Sequence, residues 1–117
     1  MNTEVIQDTH VIVRVTGEMD LHNVADFRKA LAEAAELSPQ GFIIDLSGLM
    51  YIDSAGVQAI IVACLKVNKA NGHIALVMGN DRIRSVLEVV HLEMLPRMLV
   101  RDDLEAAKQA MSEVLSR

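Results

Sequence analysis

The residue best placed for chemistry in this sequence is a serine at the predicted start of a helix. Residues 51–56, YIDSAG, lie between a short apolar run, residues 42–46, and a helical apolar pattern that begins at Val57. Asp53 and Ser54 are both residue types that cap helix N-termini, so either can fill the cap. If Asp53 fills it, the hydroxyl of Ser54 stays free and exposed. A helix N-terminus favours added negative charge through its unpaired N–H groups and its dipole, so this position suits a phosphate.

The common enzyme motifs are absent from the sequence, which contains no GxxxxGK[ST], GxGxxG, GxSxG or HExxH pattern. A catalytic role for Ser54 would need a base within hydrogen-bond reach, and no histidine is placed to serve as one. The four histidines lack metal-ligand spacing and are expected at the surface or at strand ends: His10, His22, His73 and His91. We therefore expect neither an enzyme nor a cofactor or metal site.

The elements around the serine follow from apolar periodicity. Residues 42–46, FIIDL, are typical of a strand buried on both faces, which is expected to end at Ser47 and Gly48. Tyr51 is expected to pack at the strand end. The next helix carries an apolar stripe that is expected to face the core: Val57, Ile60, Ile61, Cys64, Leu65 and Asn68. The single cysteine, Cys64, is therefore expected to be a core residue in a reducing compartment.

Further strands and helices flank this unit. Residues 3–7 and 11–16 predict two strands joined at residues 8 and 9, with Val11, Val13 and Val15 facing the helices. A helix with Asn23 as its N-cap is expected to end near residue 37, and Gly72 is expected to close the central helix. The remaining pattern predicts a strand at 73–78, a turn at residues 79–81 that leads into a helix, a strand at 98–100 and a helix over 103–115.

This order of elements predicts an α/β domain. Strands that alternate with helices imply parallel crossovers, here preceded by an antiparallel hairpin. The chain has 117 residues, of which 51% are hydrophobic, so it is expected to be one compact domain. Its net charge of −5 argues against binding to nucleic acid or anionic lipid and favours a protein partner. The longest apolar run, residues 59–65, is too short to insert into a bilayer, and we expect a cytoplasmic protein.

Two motifs give the chain a family resemblance. The string IDSAG at residues 52–56, together with VTGEMD at residues 15–20, resembles STAS domains of the anti-sigma-factor antagonist type. The resemblance extends from about Val5 to Met111. It implies a single STAS domain over residues 1–117, with a mixed four- to five-stranded sheet in the order ββαβαβαβα and four helices mainly on one face. In that family the serine after the aspartate is phosphorylated, which is Ser54 here.

The resemblance also implies partners. Such a protein binds a GHKL-type serine kinase that doubles as an anti-sigma factor, is released when the kinase phosphorylates it, and is reset by a PP2C-type phosphatase. The expected partner-binding surface comprises the two motifs and the helix face opposite the apolar stripe: Asp20, Asp53, Ser54, Ala55, Gly56, Ala59, Val62, Ala63 and Lys66. Asp20 is either a kinase-facing residue or a simple turn acid, and Ala55 stands where a second serine is frequent in the family.

Two other functions are compatible with the same fold. STAS domains also serve as subunits of membrane lipid-transport complexes. Co-purification with an ATPase would support this function. A sensor domain for a small ligand or nucleotide would need a pocket, and no motif in the sequence predicts one.

Overall fold

The computed structural model describes residues 2–7, 10–37 and 40–116. The connection predicted at residues 8 and 9 therefore lies outside the described part of the chain. The strands are β1 (Asn2–Gln7), β2 (Val11–Glu18), β3 (Gly41–Tyr51), β4 (His73–Val77) and β5 (Met98–Arg101). The helices are α1 (Val24–Glu36), α2 (Ser54–Lys69), α3 (Asp81–Glu88) and α4 (Leu104–Leu115), with a short 3-10 helix at Leu92–Met94.

The strands form one mixed sheet in the order β1-β2-β3-β4-β5. β1 pairs with β2 in antiparallel orientation, and the later neighbours are all parallel. This arrangement arises because each parallel pair needs a crossover, and each crossover here carries a helix. The predicted α/β class and element order are confirmed.

Each face of the sheet has its own hydrophobic core. On the larger face, Val11, Val13 and Val15 pack in one cluster with residues of α1, α2 and α3, as predicted for these valines. On the opposite face, Ile12 and Ile43 pack with Ala107 and Met111 of α4. Three helices therefore cover one face and α4 covers the other.

β3 is longer than predicted, because Ser47 and Gly48 do not end it. The neighbouring β2 also continues, and after a register shift Thr16 pairs with Gly48. A Cβ atom on Gly48 would lie 2.7 Å from Cγ2 of Thr16, so a larger residue there would displace the Thr16 side chain. The prolonged pair carries the ends of β2 and β3 beyond β4 towards the start of α2.

The buried side of α2 differs from the predicted stripe. Val57, Ile60 and Cys64 are buried as expected, but Leu65 is 50% exposed and Ile61 and Asn68 are only partly buried. Their places in the core are taken by Ala59, Ala63 and Val67. α2 packs against α1 as well as against the sheet, and this second contact rotates the buried side towards α1.

Local details at helix ends also differ from the predictions. α2 ends with Asn71 in the left-handed conformation at φ 65°, a position expected for Gly72. The N–H of Gly72 instead donates to the carbonyl of Val67 at 2.9 Å, which completes a Schellman motif. His10 directly precedes β2, in line with the predicted strand-end position, and is buried there, with Nε2 3.5 Å from Oγ of Ser112 on α4.

Candidate functional site

Ser54 is the first residue of α2 and its side chain is exposed. The cap is filled by Asp53, whose Oδ1 accepts a hydrogen bond from the N–H of Gly56 at 3.0 Å. Of the two arrangements open from the sequence, the structure therefore adopts the one in which Asp53 caps the helix. The hydroxyl of Ser54 is not needed for the cap and stands at the positive end of the helix dipole.

The two sequence motifs meet at this helix end. The N–H of Met19 donates to the carbonyl of Tyr51 at 2.9 Å, which ties the segment after β2 to the end of β3. A Cβ atom on Gly56 would lie 2.7 Å from Cγ1 of Ile52 and would also collide with Sδ of the fully buried Met19. The first turn of α2 can therefore pack here only because residue 56 is glycine.

Asn23 organises the turn that contains Asp20. Its Nδ2 donates to the carbonyl of Glu18 and its Oδ1 accepts from the N–H of Asp20, both at 2.9 Å. Asn23 occupies the N-cap position of α1, as predicted, but it makes no side-chain capping bond to the helix, because its side chain bonds to the preceding turn instead. Oδ1 of the exposed Asp20 accepts from the N–H of His22 at 2.9 Å. Asp20 is thereby held at the surface beside the start of α2.

A second asparagine, Asn80, fixes the other flank of the site. Its Oδ1 caps α3 by accepting from the N–H of Ile83 at 2.9 Å, and its Nδ2 donates to the carbonyl of Leu49 at 2.8 Å. The prolonged end of β3 is thus anchored to the start of α3. The sequence indicated only a turn into a helix at Asn80, because a bond to a residue 31 positions away leaves no local signal.

The predicted docking face is only partly exposed. Ala59 and Ala63 are 5% and 3% exposed, so the expectation that they lie on an open helix face is wrong. They are covered because α1 packs along that side of α2. Gly56 is also buried and Ala55 is partly buried, whereas Val62 and Lys66 are exposed as predicted.

The exposed side of α2 begins at Ser54. We call Ser54, Gln58, Val62 and Leu65 the outer stripe, because all four are exposed and fall within about 80° of arc at 3.6 residues per turn. Val62 and Leu65 are 59% and 50% exposed and give the stripe an apolar surface. Tyr51, expected to pack at the strand end, is 49% exposed close by in sequence.

A groove of about 430 Å³ runs between α1 and α2. Its floor consists of Leu31, Ala35, Ala59 and Ala63, which are all buried. Its edges carry longer or more exposed side chains: Arg28 and Ala32 on α1, and Gln58, Val62 and Lys66 on α2. Ala59 and Ala63 are therefore accessible only from within the groove.

The sequence pattern of STAS domains matches residues 1–107. The chain belongs to the STAS domain family. The anti-sigma factor antagonist SpoIIAA in its unphosphorylated form has a TM-score of 0.74 at 20% identity, over 99% of this chain and 100% of that one. The Bacillus cell fate determinant SpoIIAA in its phosphorylated form has a TM-score of 0.71 at 22% identity, over 93% of this chain and 99% of that one.

A third structure extends the comparison. A variant of RsbS from Moorella thermoacetica has a TM-score of 0.80 at 16% identity, with 100% of both chains covered. At these identities the likeness establishes a shared fold. The mixed five-stranded sheet and four helices described above are thus the STAS fold that the two motifs predicted.

The charges of this STAS domain are divided along α2. Asp53 lies at its start, and Asp20 follows Met19, which packs against Gly56 in the first turn. Lys66 and Lys69 lie in the last turn, and residues 54–69 contain no carboxylate. Lys66 is 3.5 Å from Oε1 of Glu36 on α1. The site therefore joins an acidic end beside Ser54 to a basic far end.

The inner side of α2 has no reactive group. Burial raises the pKa of the Cys64 thiol to about 12, so this cysteine stays neutral, in agreement with the predicted core role. Within residues 2–7, 10–37 and 40–116, no cluster of His, Cys, Asp or Glu could hold a metal ion. In the same ranges, no helix combines the length and apolar character needed to span a bilayer.

Proposed function

We propose that this STAS domain is an anti-sigma factor antagonist that works by partner switching. In its unmodified form it binds a GHKL-type kinase that acts as an anti-sigma factor in the cytoplasm and thereby frees the client of that protein. The kinase transfers the γ-phosphoryl group of ATP to the Ser54 hydroxyl, the phosphorylated domain dissociates, and a PP2C-type phosphatase hydrolyses the phosphate ester. The domain itself catalyses no step.

The observation that carries this proposal is the state of Ser54. Its side chain is exposed at the first position of α2, and the cap that it could have filled is formed by Asp53. A kinase can therefore reach the hydroxyl without unwinding the helix. Support also comes from the fold relative SpoIIAA, which is described as an anti-sigma factor antagonist and is known in a phosphorylated form.

The sizes of the free energies involved indicate that a phosphate on Ser54 would change the affinity for the partner rather than the folding of the domain. A phosphate at a helix N-terminus gains about 0.3 to 2 kcal/mol from the dipole, so the modified domain stays folded. In a bound complex, a nearly dianionic group beside Asp53 has to be desolvated, at a cost of roughly 3 to 5 kcal/mol. Each 1.4 kcal/mol changes affinity about tenfold, which gives a loss of roughly two to three and a half decades.

The docking surface of this proposal is centred on Ser54. Asp20 and Asp53 contact the partner beside the serine, and Ala55 and Gly56 shape the helix end. Val62 and Lys66 extend the surface along α2, and Ala59 and Ala63 contribute from the groove floor. Leu65 of the outer stripe, half exposed, adds apolar area that the sequence pattern had assigned to the core.

The test combines the domain with its cognate kinase. After incubation with ATP, mass spectrometry is expected to find phosphate on Ser54, and isothermal titration calorimetry is expected to show that Ser54→Asp lowers affinity at least about 100-fold. Ser54→Ala is expected to bind and to resist release by ATP. Ser85→Asp, on the exposed surface of α3, is the matched control and should bind normally. Phosphate on another residue, or an undiminished complex with Ser54→Asp, would contradict the proposal.

A further inference from the structure

The groove between α1 and α2 has a shape and a charge that define its occupant. We infer that it receives an amphipathic helical segment of the partner, with an apolar side towards the groove and carboxylates along its flanks. This inference rests on the proposed function for the identity of the partner and adds the chemistry by which the partner is recognised.

The shape of the groove fits a short helical segment. From Gln58 to Lys66 the α2 edge advances by eight residue steps, or about 12 Å at 1.5 Å per residue, which matches roughly two helical turns. The floor residues Ala35, Ala59 and Ala63 are small, so the apolar side chains of a docked helix can approach the backbones of α1 and α2 closely. Val62, which is 59% exposed on the α2 edge, offers further apolar area for the same segment.

The charge at the groove edges favours carboxylates. Arg28 lies on the α1 edge and Lys66 on the α2 edge, in a chain whose net charge is −5. Within the described ranges Arg28 has no carboxylate within ion-pair distance. Lys66 contacts Glu36, but these side chains are 47% and 66% exposed, and such a surface pair exchanges partners readily. An acidic segment would pair with both cations, whereas a basic one would be repelled by them.

The groove also adjoins the modification site. Gln58 lies on the groove edge one helical turn after Ser54, and both residues belong to the outer stripe. A phosphate on Ser54 would add negative charge next to the carboxylates of the docked segment. Repulsion between these like charges would therefore add to the desolvation cost and assist release.

Two peptide probes test the inference without a natural partner. Both are hydrocarbon-stapled helices with the same leucine positions, one with glutamates on its flanks and one with lysines, so that only the charge differs. In ¹H–¹⁵N NMR titrations the glutamate peptide is expected to shift the amide signals of Ala59, Val62 and Ala63 and to bind at least about ten times more tightly than the lysine peptide.

Charge reversal on the domain provides the second arm. Arg28→Glu is expected to weaken the glutamate peptide about fivefold or more and to favour the lysine peptide. Lys29→Glu is the matched control, because it makes the same net charge change at the adjacent exposed residue, about 100° away around α1. The control variant should bind both peptides like the unaltered domain.

Several outcomes would overturn the inference. They are equal affinity for the two peptides, no binding of either, signal shifts confined to α3 or α4, and equal effects of Arg28→Glu and Lys29→Glu. Concentration-dependent shifts of the groove signals without peptide would identify a second copy of the chain as the occupant instead. Because the peptides need neither kinase nor phosphate, this result is separate from the test on Ser54. The groove could bind no acidic peptide while Ser54 is still phosphorylated, or it could bind the peptide while Ser54 is not.

Discussion

The N-termini of α2 and α3 are capped in the same way, but the two capping residues have different further roles. At α2, the Oδ1 of Asp53 accepts from the N–H three residues later at 3.0 Å, and at α3 the Oδ1 of Asn80 does the same at 2.9 Å. The Nδ2 group of the asparagine also donates a hydrogen bond to the carbonyl of Leu49, so its turn is tied to β3. The aspartate has no donor when ionised, and its charge remains at the surface of the site.

The first helical residues differ as well. Asp81 already places a carboxylate at the first position of α3, where Ser54 stands in α2. Negative charge at this position is therefore compatible with the folded domain. The start of α3 is thus anchored to β3, whereas the start of α2 presents the exposed hydroxyl of Ser54.

The largest effect on stability is expected from a larger side chain at Gly56, in the first turn of α2 below Ser54. Gly56→Val would drive side-chain atoms into Met19 and Ile52, and overpacking of this kind costs about 3 kcal/mol of unfolding free energy. Urea denaturation followed by circular dichroism measures the loss. Gln58→Val, on the exposed side of the same helix, is the control and should change stability by less than about 0.5 kcal/mol. Equal losses for the two variants would refute the role assigned to Gly56.

A smaller loss of stability should distinguish Asn80, which also bonds to β3, from Asp53, which only caps its helix. Asn80→Ala removes the cap of α3 and leaves the carbonyl of Leu49 without its donor. The two losses together should lower the unfolding free energy by about 2 kcal/mol. Asp53→Ala removes only a cap, at about 1 kcal/mol. Asn80→Asp keeps the cap oxygen and loses only the bond to Leu49, so it should cost less unfolding free energy than Asn80→Ala. If denaturation shows Asp53→Ala to be the more damaging variant, the contrast between the two helix starts does not hold.

The smallest effect concerns the charge at the first helical position. Ser54→Asp is expected to raise the unfolding free energy by about 0.3 to 1 kcal/mol at low salt, because the dipole favours an anion there, and Asp81→Ser should lower it by a similar amount. Thermal unfolding in low and high salt checks both, since screening should shrink the two changes. A loss of more than about 1 kcal/mol in Ser54→Asp would mean that the modified form is not a folded, dissociated domain.

The sequence predicted much of the frame but less of the site's surroundings. Asp53 and Ser54 were correctly recognised as rival caps, and the structure decided between them in favour of Asp53. The bonds of Asn23 to the turn and of Asn80 to β3 were missed, because an asparagine before a helix looks the same whether it caps or reaches elsewhere. The assignment of Ser54 as the phosphorylated residue remains a prediction from family resemblance and exposure.

By itself, the sequence determined the order of strands and helices and the buried strand before Ser54, because these depend on local periodicity and on capping residues. Only the tertiary structure decided which side of α2 faces outwards. Apolar residues of that helix extend onto the side that also carries Ser54 and Gln58, so its sequence alone leaves more than one apolar side that could face the core. The contact with α1 buried Ala59 and Ala63 and left Val62 and Leu65 exposed on the same side of α2 as Ser54, because packing two helices on one sheet allows only one of the competing sides to stay exposed.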